Sequence, residues 1–226
     1  MELASAIASD ISGICEDVFS IQIVPPGWIH FELTHSTLVT WLQSLAVGSS
    51  GGEWEQGSRG AGEDEVTIDA PCPIPNSLFA VQHAHARCCS LVLLAHREGL
   101  IKLTEPVPNS SPAFWSVIAP NPIPWLNCDG VLRLNHPDER RLIAQLVQVI
   151  DNIECPDVSG YIKWEKVALN LSQAFEKFWS NCRIWGEVKI TSPELAQARL
   201  GLLMATQSVL RYVLEENLGV FAPLEL

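Results

Sequence analysis

Basic residues are scarce in this chain. Lysine and arginine number 14 against 26 aspartates and glutamates, a formal net charge of −12 over 226 residues. A dedicated, non-specific nucleic-acid binder meets phosphates with clustered Lys and Arg, so the overall balance argues against that class. The scarcity is uneven. Residues 1–77 hold 11 acidic groups and a single basic one, Arg59, and carry −10; residues 78–226 hold 15 acidic and 13 basic groups and carry −2. A local RNA-facing patch therefore stays open on the second piece. The seven cysteines are odd in number and lack C-x-x-C spacing, which reads as reduced, mostly buried thiols and speaks against a zinc site. No apolar run approaches membrane-spanning length. No basic segment precedes an apolar one at the N-terminus, so no signal peptide is evident. The expectation is a cytoplasmic protein of one medium or two small domains, with no membrane, metal or cofactor.

What is present is strong periodicity. Residues 4–17 read as a helix with Ile7, Ile11 and Ile14 on one stripe. Ser20–Val24 and Trp28–Leu33 alternate as strands do, and Pro25-Pro26-Gly27 between them is a turn, so they form a hairpin. Thr34 or Ser36 can cap a helix running through Leu45, with Leu38, Trp41, Leu42 and Leu45 inward. Residues 1–47 thus make a small α-β-β-α unit. Residues 48–77 are Gly- and Pro-rich and acidic, which is linker composition, with Val66-Thr-Ile68 as a possible short strand. No Gly-Lys-Ser/Thr follows the glycines, so a phosphate-cradling loop is not signalled.

Residues 78–226 are dominated by long helices. The stretch Phe79–Ala95 places Val81, Ala84, Cys88, Leu91, Val92 and Ala95 on one face and His83, Arg87 and Ser90 on the other. His83 and His85, two residues apart, do not face one another, which argues against a metal pair. Leu100–Leu103 is read as extended. Residues 105–127 form a long Pro-rich segment whose Trp115 and Trp125 either stack bases or pin the segment to the core; the second is favoured. His136-Pro-Asp-Glu139 opens a helix to about Asn152, a third helix spans about Gly160 to Cys182, and Ser192-Pro-Glu194 opens a fourth. Every apolar stripe on these helices reads first as bundle core. The expected fold class is α+β: an all-α C-terminal bundle preceded by the small N-terminal unit.

Several motifs, in order, resemble arginyl-tRNA synthetases. Gln82-His-Ala-His-Ala-Arg-Cys-Cys-Ser90 is similar to the Q-Y-A-H-A-R-I-C-S signature that opens their DALR anticodon-binding domain, with His83 in place of Tyr. Leu171-Ser-Gln-Ala-Phe-Glu-Lys-Phe-Trp-Ser-Asn-Cys-Arg-Ile184, Ala198-Arg-Leu-Gly-Leu-Leu-Met-Ala-Thr-Gln-Ser-Val-Leu210 and Leu218-Gly-Val-Phe-Ala-Pro-Leu-Glu-Leu226, the last with its final residues changed, resemble later motifs of the same domain. Pro26-Gly-Trp-Ile-His-Phe-Glu-Leu33 resembles the hairpin of the family's N-terminal additional domain. The resemblance implies a DALR-type bundle over residues 78–226. Between the two matching pieces the family carries its catalytic domain, with a His-x-Gly-His motif and a Lys-Met-Ser-Lys-type loop. Neither motif occurs here, and about thirty Gly- and Pro-rich residues cannot build a nucleotide-binding sheet. The resemblance therefore implies a non-catalytic relative. By match, His83, Arg87, Trp179, Arg183 and Arg199 are the candidate RNA contacts: aromatic rings to stack unpaired bases, arginines for phosphates or base edges. Arg199 has an alternative, pairing with an acid inside the bundle. Two functions stay open: a module that binds or presents tRNA, arginine tRNA foremost, and a protein-binding scaffold or adaptor that no longer binds tRNA.

Overall fold

The computed structural model describes residues 2–15, 18–47, 76–104, 117–155 and 162–225. Most of the linker, the Val66–Ile68 strand, Trp115 and the expected helix start at Gly160 lie outside the described residues. The N-terminal segment forms α1 (Glu2–Cys15), the strands β1 (Phe19–Val24) and β2 (Trp28–Leu33), and α2 (His35–Val47). The strands pair antiparallel in unbroken register from Phe19 opposite Leu33 to Val24 opposite Trp28. Alternation places Phe19, Ile21 and Ile23 on one face with Ile29, Phe31 and Leu33, and α1 packs on that face. Of the expected stripe of α1, Ile7 is exposed and Ile11 half-buried, and the helix buries Ala4 and Ala8 instead of Ile7. Thr34 starts α2: its Oγ1 accepts the backbone N–H of Thr37 at 3.3 Å, satisfying one of the donors a helix start leaves free.

The remainder is a bundle of α3 (Asn76–Arg97), α4 (Pro137–Glu154), α5 (Trp164–Asn181), the short α6 (Glu187–Thr191) and α7 (Pro193–Tyr212), which continues as a π-helical stretch over Val213–Asn217. A two-stranded ribbon, β3 (Lys102–Leu103) with β4 (Val117–Ala119), follows α3. The class is α+β with a helical bundle. α3 is long and apolar enough to cross a membrane by length and composition, but it is a core helix: α5 and α7 flank it, and Val81, Ala84, Cys88, Val92 and Ala95 are buried. α7 is the central element, buried on nearly every side and contacted by α2, α3, α4 and α5.

The start of α4 shows how charge is used inside. His136 caps the helix, its Nδ1 accepting Asp138 N–H at 3.2 Å, while Glu139 Oε2 accepts the backbone N–H of His136 at 2.7 Å. This reciprocal capping box satisfies two free donors at once. Trp125 fills the space between α2 and α7. It is 1 % exposed, and its ring lies where a Cβ on Gly201 would come within 2.6 Å. Its Nε1 donates to Gln43 Oε1 at 2.8 Å, and the same oxygen accepts Ile123 N–H at 3.1 Å. Trp125 is a core residue, as the favoured reading had it. α2 thus joins the bundle, with Leu42, Leu45 and Ala46 in one continuous core with α7.

Candidate nucleic-acid interface

α3 presents two different polar surfaces. One faces α5 and is open. His83 is exposed and Arg87 half-exposed along it, and with Phe79, Gln173, Glu176 and Lys177 they line a groove between the two helices. The Arg87 guanidinium carbon lies 5.4 Å from the centre of the Trp179 ring, in cation–π range. Trp179 meets Trp185 edge-to-face at 5.7 Å, so Arg87, Trp179 and Trp185 form one contiguous set. Trp185 Nε1 has no acceptor among the described residues. Glu176 Oε2 stands 3.9 Å from Arg87, a partly exposed ion pair that lowers the positive potential of the groove.

His83, Arg87 and Trp179 are thus brought together. Arg183 is exposed on the segment after α5, joined to Arg199 through the main chain: Arg199 Nη1 donates to Arg183 O at 2.6 Å. Arg199 itself faces inward. Its Nε donates to Glu139 Oε1 at 2.6 Å, with the arginine side chain 12 % and the glutamate 1 % exposed. The alternative reading of Arg199, an internal ion pair, describes its position: it ties α7 to the start of α4 and fixes the backbone that carries Arg183. The glutamate's two oxygens are divided between the α4 cap and this arginine. Trp185 and Glu176 were not singled out from sequence. For Trp185 an available signal was its aromatic spacing from Trp179 across a helix end.

The other polar surface of α3 is closed. His85 is fully buried, its Nδ1 2.8 Å from Pro223 O and its Nε2 3.0 Å from Gln207 Nε2. An amide nitrogen only donates, so Nε2 must accept and Nδ1 must carry the proton that goes to Pro223. Gln82 Nε2 donates to Phe221 O at 2.8 Å. Two residues of the signature therefore hold the C-terminal segment. Burial lowers the His85 pKa below its ordinary 6.5, ahead of the opposing bond to Pro223. Burial also pushes the thiols up, Cys88 well above its usual value, Cys89 to about 12 and Cys182 to about 11. Each shift favours the thiol over the nucleophilic thiolate. Among the described residues no three His, Cys, Asp or Glu side chains converge as a metal site would.

The profile of the DALR anticodon binding domain matches residues 81–226. This chain belongs to the DALR anticodon-binding family. Relatives of the DALR stretch include the arginine–tRNA ligase of Synechococcus sp. (strain JA-3-3Ab), 32% identical over 149 residues, which is 66% of this chain and 22% of that protein. The arginine–tRNA ligase of Moorella thermoacetica is 31% identical over 149 residues, with the same 66% and 22% coverage. That of Gloeobacter violaceus is 30% identical over 137 residues, covering 60% of this chain and 20% of that protein. The match thus spans about a fifth of the length of these ligases. No solved structure matches. The DALR domain of this chain is similar to the corresponding part of arginine–tRNA ligases, and α3, α5 and α7, which carry His83, Arg87, Trp179 and Arg199, lie within the matched region apart from the first residues of α3, as does Arg183 after α5.

Proposed function

We propose that the DALR domain binds tRNA, arginine tRNA foremost, through the open α3–α5 face, and that this cytoplasmic chain does so without catalysing aminoacylation. The observation that carries the reading is Arg87, which lines the α3–α5 groove with His83 inside the matched domain and lies over the ring of Trp179, itself half-buried against the core beside Trp185. Stacking platforms backed by a cation suit unpaired bases, which are what an anticodon loop offers. In this reading Arg183, exposed and held at its backbone by Arg199, meets phosphate. Arg199 acts by positioning and not by contact. The non-catalytic part rests on the missing His-x-Gly-His and Lys-Met-Ser-Lys-type motifs within these 226 residues.

The test is a fluorescence titration of the full chain with arginine tRNA and an unrelated tRNA at several salt concentrations. Binding should weaken with salt. Arg87→Ala should cost roughly tenfold and reduce the salt slope by about 1. Trp179→Ala should cost about 1–3 kcal/mol regardless of salt. Absence of binding to either tRNA at low salt overturns the proposal. The adaptor reading draws its support from a different surface, the N-terminal hairpin.

A further inference from the structure

The β1–β2 hairpin is covered on one side and left open on the other. α1 lies mainly over β1, so on the same inner face Phe31 remains 49 % and Leu33 39 % exposed. On the outer face Trp28 is 68 % exposed, and His30 and Glu32 are exposed as well. β2 pairs with β1 alone among the described residues, so its second edge offers a row of backbone N–H and C=O groups. Proteins usually protect such an edge with lysine, proline or a bulge. β2 has neither residue within Trp28–Leu33, and its register is unbroken.

We propose that β2 receives a third strand from a partner protein, an extended segment that alternates apolar residues with Lys or Arg. The alternation follows from β2 itself. A strand added at this edge sets every second side chain beside Ile29, Phe31 and Leu33, where apolar groups cover what α1 leaves bare. The intervening side chains stand beside Trp28, His30 and Glu32, where one cation pairs with the Glu32 carboxylate and another lies over the Trp28 indole. The sign of the partner is set by charge: residues 1–47 hold five acidic groups and no Lys or Arg. The same count argues against a second copy of this chain, which would bring Glu32 and its acidic unit against themselves. The inference stands apart from the RNA reading; loss of tRNA binding would leave it untouched.

The test uses the isotope-labelled full chain and two synthetic peptides of roughly nine residues, one alternating Lys with Val and one alternating Glu with Val. The Lys–Val peptide should shift the amide resonances of residues 28–33 and bind at least about tenfold more tightly than the Glu–Val peptide. Glu32→Lys, an exposed change that leaves the hairpin's inner face intact, should weaken it about fivefold or more, and Phe31→Thr should weaken it without changing its salt dependence. Equal affinity for both peptides, resonance shifts away from β2, or indifference to both substitutions overturns the proposal. A dimer of the free chain that Glu32→Lys disperses would place a second copy on the edge and overturn it too.

Discussion

The helical bundle and the N-terminal hairpin use apolar residues in opposite ways. The bundle closes over most of its own, with Phe79, Ile190 and Phe221 as exposed exceptions: α7 is buried on nearly all sides, and Phe175, Phe178 and Trp125 are inaccessible. Its buried carboxylate, Glu139, is paired with Arg199. The hairpin leaves Trp28, Phe31 and Leu33 in solvent and has no basic side chain. One region has a finished interior and displays a mixed polar face. The other displays its own unfinished interior. A two-stranded sheet under a single helix has too little area to close by itself.

Four measurements would break or sharpen that contrast. The largest effect belongs to Trp125→Ala, which removes the residue wedged between α2 and α7. It should cost about 3–5 kcal/mol in urea unfolding. Next is Glu139→Gln, which strips the charge from a buried pair and disturbs the α4 cap. About 3 kcal/mol is expected, with Arg199 left uncompensated. The third is a pH effect. The folded pKa of His85 lies below 6.5, so below that pH the unfolded chain takes up a proton that the folded chain refuses. Stability should fall as pH drops through 6.5 towards the folded value, and His85→Gln should flatten that part of the curve. The smallest is Phe31→Ala, expected to cost about 1 kcal/mol or less. If it cost as much as Trp125→Ala, the hairpin would be a cooperative part of the bundle and the contrast would fail.

Much of the fold was legible from periodicity. The hairpin, the cap at Thr34 and the inward faces of α4 and α5 follow from local pattern alone. α7 was legible only as one stripe; a helix buried all round has little polar contrast to read. α6 is five residues long, too short to carry a period. Of the candidate site, the α3 face bearing His83 and Arg87 could be placed, whereas the clasp of His85 on Pro223 joins residues 138 positions apart and leaves no local trace. His85 and His83 look alike in sequence, yet one is locked to the chain end and the other faces the groove. The partner of Arg199 was anticipated as a type, an internal acid, but not as Glu139, whose first-turn position also suits a solvated helix start.

The bond from Gln43 to Trp125 and Ile123 reaches across the border of the family match, since Gln43 precedes residue 81 and both of its partners follow it. A fragment trimmed to the recognised boundary would lose the acceptor for a buried indole and the helix that roofs α7. The stretch that is inherited as a unit is thus smaller than the stretch that must fold together, and a truncation chosen by homology would fail for reasons unrelated to RNA.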